Sequence, residues 1–132
     1  MEAMTSLFTR ALYDRLPEGF PAELVDGALV REPAPTGAHQ TIVGAVFLAL
    51  APLAGLRRTF LSPIDVGLDD LNVLQPDLAV YAAPPPLDRH DLGVPSVVFE
   101  VLSPSTREFD RDVKAGKYLR AGVREVWLVD DP

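Results

Sequence analysis

The sequence predicts an α/β domain, and three observations carry that prediction. A strand–turn–strand signature lies at 23–30, an apolar pattern of helical period runs from His39 to Leu56, and a strand–helix–strand succession fills the end of the chain.

In chain order, Leu7, Ala11 and Leu12 fall at helical spacing and predict a short leading helix from Ser6 to Arg15, stopped by the turn residues Pro17-Glu18-Gly19. Glu23-Leu24-Val25 and Ala28-Leu29-Val30 flank Asp26-Gly27, a dipeptide that tolerates the positive φ of a primed turn and so closes a hairpin. After the loop Pro33 to Gly37, the residues Ile42, Val43, Val46, Phe47 and Leu50 recur at threes and fours, which predicts the main buried helix over His39 to Leu56. Thr59 to Leu61, Ile64 to Gly67 and Leu78 to Tyr81 are short β-branched or aromatic runs, bounded by Pro63, by Asp69 to Asn72 and by Pro84-Pro85-Pro86, and they read as strands. Ser96 to Leu102 is apolar almost throughout, the pattern of a central strand covered on both faces. Ser105-Thr106-Arg107-Glu108 fits a capping box that opens a helix to Ala121, Gly122 ends it, and Val126-Trp127-Leu128-Val129 forms the next strand. Such a succession is a crossover with a parallel strand pair.

At 132 residues the chain suits one domain, 1–132, and is too short for two. Its longest apolar stretch, Ile42 to Leu56, is broken by Gly44, Pro52 and Gly55 and reads as too short to span a membrane. Met1-Glu2-Ala3-Met4 lacks the basic and apolar regions of a secretory leader, so a cytosolic protein is expected. Cysteine is absent, which excludes disulfides, thiolate nucleophiles and thiolate-bound metals and leaves oxygen or imidazole as metal donors. The net charge of −7 argues against binding nucleic acid through a general positive field. Local basic groups would be needed, such as Arg57-Arg58 and Lys114 with Lys117, while Asp69-Asp70 and Asp130-Asp131 read as solvated loop charges.

Two carboxylates stand out. Asp77 follows Pro76 at the start of a predicted strand, and Glu100 interrupts the most apolar strand of the chain. An unpaired carboxylate in a covered strand costs several kcal/mol or takes up a proton, so it calls for a cation or strong donors. Mg²⁺, which binds through one or two carboxylates and keeps several waters, meets that need.

Gln75-Pro76-Asp77, Glu100-Val101-Leu102-Ser103-Pro104-Ser105-Thr106, Asp110, Lys114, Tyr118, Gly122-Val123 and Trp127-Leu128-Val129-Asp130 occur here in an order that resembles the Uma-two family of restriction-endonuclease-like proteins, a branch of the PD-(D/E)xK nuclease superfamily. The likeness reaches back to Glu23-Leu24-Val25-Asp26-Gly27, Pro33-Ala34-Pro35 and His39-Gln40. It implies a mixed sheet flanked by helices, Asp77 and Glu100 as ligands of Mg²⁺ or Mn²⁺ with the Val101 carbonyl as a third, and hydrolysis of a DNA phosphodiester. The superfamily lysine two residues after the glutamate is replaced here by Leu102, and Lys114 on the following helix matches its position in this branch. Asp110, Lys114 and Tyr118, at i, i+4 and i+8, form one stripe able to face the strand of Glu100.

Other readings stand beside these. Asp77 also reads as a turn carboxylate, Glu100 as half of a buried salt bridge, and Lys114 as the partner of Asp110 on a solvated helix face, with Lys117 competing for its role. Glu23 is either a further acidic site residue or an exposed hairpin glutamate; His39 reads as a capping or surface residue; Tyr118 and Trp127 read as core aromatics, Tyr118 alone having a claim on the site. A nuclease relative without activity, acting as a binding or assembly module, is the alternative function, and RNA or a nucleotide the alternative substrate. Family members continue past the strand at Trp127, so the core is expected to lack its last strands; the bare sheet edge would then invite a second chain and a homodimer.

Overall fold

A computed structural model describes residues 7–130; Met1 to Met4, Ser6 at the head of the expected first helix, and Asp131 lie outside the described residues. Helix α1 (Arg10–Tyr13) is followed by β1 (Ala22–Val25), β2 (Ala28–Arg31), the long helix α2 (Gly37–Ala54), and strands β3 (Thr59–Leu61), β4 (Val66–Asp69), β5 (Asn72–Leu74), β6 (Leu78–Val80) and β7 (Val97–Leu102). A continuous helical stretch comes next, made of α3 (Arg107–Phe109), a π-helical segment (Asp110–Lys114) and α4 (Ala115–Arg120), and then β8 (Glu125–Asp130).

The strands form two four-stranded sheets, ordered β2-β1-β5-β4 and β3-β6-β7-β8. The first is antiparallel throughout. The second is mixed, because β7 and β8 run parallel through the expected helical crossover. The turn of the first hairpin takes the primed form, with φ of 48° at Asp26 and 78° at Gly27. It docks on the β4–β5 turn through Asp26 N–H to Asn72 Oδ1 at 2.9 Å and Gly27 N–H to the Leu71 carbonyl at 3.0 Å.

Alternation along the strands sorts the core into layers. On one side of β7, Phe99 and Val101 meet Leu78 and the Val43 face of α2; on the other, Val98 meets Tyr118, Val123 and the first sheet's Val25, Val66 and Leu74. The far face of the first sheet, with Leu24 and Val73, is covered by Tyr13 of α1. By the same alternation Glu100 shares the Val98 side and Glu23 the Val25 side, so both carboxylates point into the layer between the sheets.

Several expectations are corrected. Among the described residues of the expected Ser6 to Arg15 helix, only the one turn Arg10–Tyr13 is helical. The strand expected from Ile64 begins at Val66, and β5, which starts at the last residue of the expected boundary Asp69 to Asn72, was not foreseen. No capping box forms: Thr106 makes no cap bond to the helix, and its hydroxyl instead meets Ser103 Oγ at 2.7 Å and donates to Asp110 Oδ2 at 3.0 Å. Helix α2 is not buried, since only Val43 is fully covered and Leu48 and Leu53 face solvent. With 18 residues and a mean hydropathy of 1.5 it does reach the length and composition of a membrane span, despite its glycine and proline, while its Ile42, Val46, Phe47 and Leu50 face packs on the second sheet. Trp127 is no core residue either: it is 52% exposed on β8 and stacks on Phe99 across the parallel pair, with centroids 6.0 Å apart.

Thr36 caps α2 by accepting the His39 N–H at 3.2 Å. Thr36→Ala should therefore lower stability by about 1 kcal/mol, and a urea unfolding curve indistinguishable from wild type would show the cap to be idle.

Candidate active site

The β6–β7 register pairs Leu78 with Phe99, so continued by one residue it would bring Asp77, just before β6, level with Glu100. The Val101 N–H donates to Asp77 Oδ2 at 2.7 Å. In an extended strand the carbonyl of the same residue leaves on the same edge, so the Val101 carbonyl points towards Asp77 as well. Glu100 is 2% exposed and its Oε1 takes the Tyr118 hydroxyl at 2.9 Å and Lys114 Nζ at 2.9 Å.

Lys114, itself 2% exposed, also lies 2.8 Å from Glu23 Oε2, donates a long bond to the Gln75 carbonyl at 3.4 Å, and is 3.9 Å from Asp110 Oδ1. Glu23 further accepts the Gln75 N–H at 2.6 Å. Lys117 turns the other way, to Asp26 in the hairpin turn at 2.6 Å. The stripe Asp110, Lys114 and Tyr118 is thus buried against the carboxylates, and the surface reading of Lys114, like the exposed reading of Glu23, is excluded. It follows that Lys114 adds nothing to a basic surface patch. The wide π turn at Asp110–Lys114 lets successive positions of the stripe face inward together.

Charge is unbalanced in this layer. Burial, and then the negative charges of Asp77, Glu23 and Asp110, raise the Glu100 carboxyl well above the usual range against the pull of Lys114. Burial raises Asp110 too, again against Lys114. Glu23 is pushed up by burial but ends below the usual range, because Lys114, a carboxyl hydrogen bond from Glu32 and the Gln75 N–H outweigh that effect. Lys114 is opposed by burial, yet Glu100 and its other acidic neighbours hold it well above an ordinary lysine. One buried ammonium therefore faces an excess of carboxylates, the donor chemistry that suits a hard divalent cation beside Asp77 and Glu100. Among the described residues no three acidic or imidazole side chains converge as a metal cage; a cation here would rely on the two carboxylates, the Val101 carbonyl and water, which is the habit of Mg²⁺.

Two residues given little or no weight in the sequence belong to the site. His39, read as a capping or surface residue, lies with Nε2 3.4 Å from Asp77 Oδ2, and its Nδ1 is buried without a partner. Glu32 lies just beyond β2, where its N–H bonds the Pro21 carbonyl at 2.8 Å. Glu23 pairs with Val30, and Glu32 is two residues on from Val30, so strand alternation alone sets the two glutamates diagonally on one face. Burial, then the hydrogen bond to Glu23 and its charge, push the Glu32 carboxyl up to about 9.

Glu32 thus keeps its proton in the folded chain far above the unfolded value near 4.5. The resulting stabilisation is complete below about 4.5 and is lost as pH rises towards about 9. Glu32→Gln has no proton to lose in that window, so its stability should gain on wild type as pH rises through it. Urea midpoints that change in parallel for the two proteins would rule out the shared proton.

A profile of the Uma2 family, described as "Putative restriction endonuclease", matches residues 10–132. No curated protein matches the chain. Among solved structures it is similar to a protein from Anabaena variabilis described as "a putative nuclease belonging to DUF820", with a TM-score of 0.78 and 23% identity over 93% of this chain and 74% of that one. That likeness shows the fold, a mixed α/β arrangement of two sheets flanked by helices, which is consistent with the restriction-endonuclease description of the family.

Proposed function

We propose, from the premise that this chain belongs to the Uma2 family of restriction-endonuclease-like proteins, that it is a Mg²⁺-dependent endonuclease hydrolysing DNA phosphodiesters, with Mn²⁺ as a substitute metal. The observation that carries the reading is the buried Glu100, which feels the charges of Asp77, Glu23 and Asp110 and is paired with the Lys114 ammonium. Asp77, Glu100 and the Val101 carbonyl would hold the cation. Bound there, it would activate water and offset the charge that builds on phosphorus.

The chain's own groups set up that chemistry. The Val101 N–H fixes one Asp77 oxygen, and Tyr118 and Lys114 fix Glu100 Oε1. Glu23 and Gln75 hold the lysine in place, so its charge stands beside Glu100 without free rotation. Asp110, 3.9 Å from that ammonium, adds its negative charge and is itself held by Thr106.

The test is calorimetric titration with Mg²⁺ alongside nicking of supercoiled DNA. One metal bound per chain, with metal-dependent nicking, supports the reading; metal binding without nicking favours the second one. That second reading is a nuclease relative without activity, serving as a nucleic-acid-binding or assembly module. It is favoured by the way Lys114 is spent on Glu23 and Glu100, leaving little of it for a phosphate. Under either reading we infer a homodimer joined at the edge of β8, where Trp127 and Leu128 are exposed; sedimentation at micromolar concentration would test it.

A further inference from the structure

We propose that Glu32 is a catalytic acid, the residue that protonates the oxygen leaving phosphorus; this rests on the nuclease reading above.

Hydrolysis of a DNA strand expels a sugar alkoxide, which departs slowly unless a proton reaches it. The other groups of the site are poor sources. Asp77 and Glu100 are committed to the cation, and the Lys114 ammonium is locked between Glu23 and Glu100, which tightens its hold on its protons. Glu32 differs in three respects. It is half-buried, so part of it is accessible, whereas Glu23 is closed off. Strand alternation sets it diagonally beside Glu23, within reach of a hydrogen bond between the two carboxyls, and that bond and the Glu23 charge raise Glu32. Two carboxyls in contact cannot both be ionised, so one proton is held between them. Since Glu23 already receives Lys114 and the Gln75 N–H, Glu23 carries the charge and Glu32 the proton. The charged groups acting on Glu32 are Glu23 from β1, Lys114 from the π segment, and Asp77 at the head of β6. Lys114 is placed to steady the carboxylate that remains after the proton has gone.

The step balances. A water oxygen bonds to phosphorus, the bond from phosphorus to the departing sugar oxygen breaks, and that oxygen takes the Glu32 proton. The surplus proton of the water passes to solvent, from which Glu32 is reloaded. One diester and one water give a monoester and an alcohol.

The experiment compares Glu32→Gln with wild type on two substrates in Mg²⁺. The glutamine amide can still donate to Glu23, so the pair is kept without an acidic proton. Cleavage of supercoiled DNA should fall about 100-fold. Hydrolysis of bis(p-nitrophenyl) phosphate, whose leaving group departs without a proton, should stay at the wild-type rate. An equal fall on both substrates overturns the proposal, because a structural role would move both. Independently of turnover, the infrared difference between metal-free wild type and Glu32→Gln at neutral pH should contain a protonated-carboxyl band, any band of Glu100 or Asp110 being common to both proteins; an ionised Glu32 overturns the proposal whatever the kinetics. A wild type inert to both substrates but showing the band overturns the nuclease reading, and the catalytic role with it, while the shared proton stands.

Discussion

Asp77→Asn is expected to weaken Mg²⁺ binding by about 100-fold or more, since even the outer partners of metal ligands are worth about 10- to 100-fold in affinity. DNA cleavage should fall with it. The amide keeps the size of the side chain and an oxygen to accept the Val101 N–H, so the fold should change little. What is lost is the negative charge that draws the cation out of water. Glu100→Gln should have a similar effect on binding, but Asp77 is the cleaner test because Glu100 also neutralises Lys114. Calorimetry of both variants, with circular dichroism as the check on folding, measures this. Unchanged affinity in Asp77→Asn would remove Asp77 from the metal site.

Lys114→Met should cost about 3–5 kcal/mol of folding stability, the usual effect of removing one partner from a buried ion pair. Methionine fills much of the space, so the loss reports charge: Glu23, Glu100 and Asp110 would be left with no ammonium among them. Because acidic neighbours, Glu100 foremost, raise Lys114 above the ordinary 10.5 against the opposing effect of burial, its contribution is complete below about that pH and is lost only in stronger alkali. Glu23 lies below its ordinary 4.5, so its share is present above that value and is lost in acid. Adding Glu23→Gln to Lys114→Met should restore part of the stability, whereas additive losses in urea would mean that the two side chains act independently.

The local signals in the sequence proved the readable ones. Asp26-Gly27 named its hairpin through backbone conformation alone, and the apolar run Val97 to Leu102 named the central strand. Gly122 ended its helix where expected, with φ of 107°. What was hidden depends on partners distant in the chain. Strand β5 is three residues long and exists because β1 and β4 flank it. His39 looks like a surface residue until α2 is laid beside Asp77. Asp77, Glu100 and Lys114 were marked by pattern and family likeness, but the clamp of Glu23 and Gln75 on Lys114 comes from sheet packing that no spacing encodes. Glu32 was within reach, since hairpin alternation already set it beside Glu23.

The widened turn at Asp110–Lys114 bears on how lysines are matched between this chain and its relatives. A π turn holds one residue more than an α turn, so every side chain after it is rotated by about 100° from its place on an unbroken helix. In a relative whose helix lacks the bulge, the residue facing the glutamate stands one position closer to it in sequence. Counting residues from Glu100 would then equate Lys114 with a side chain on a different face. Homologous lysines must be matched with a one-residue gap inside the helix, and an ungapped comparison would report the lysine missing where only the helical phase has changed.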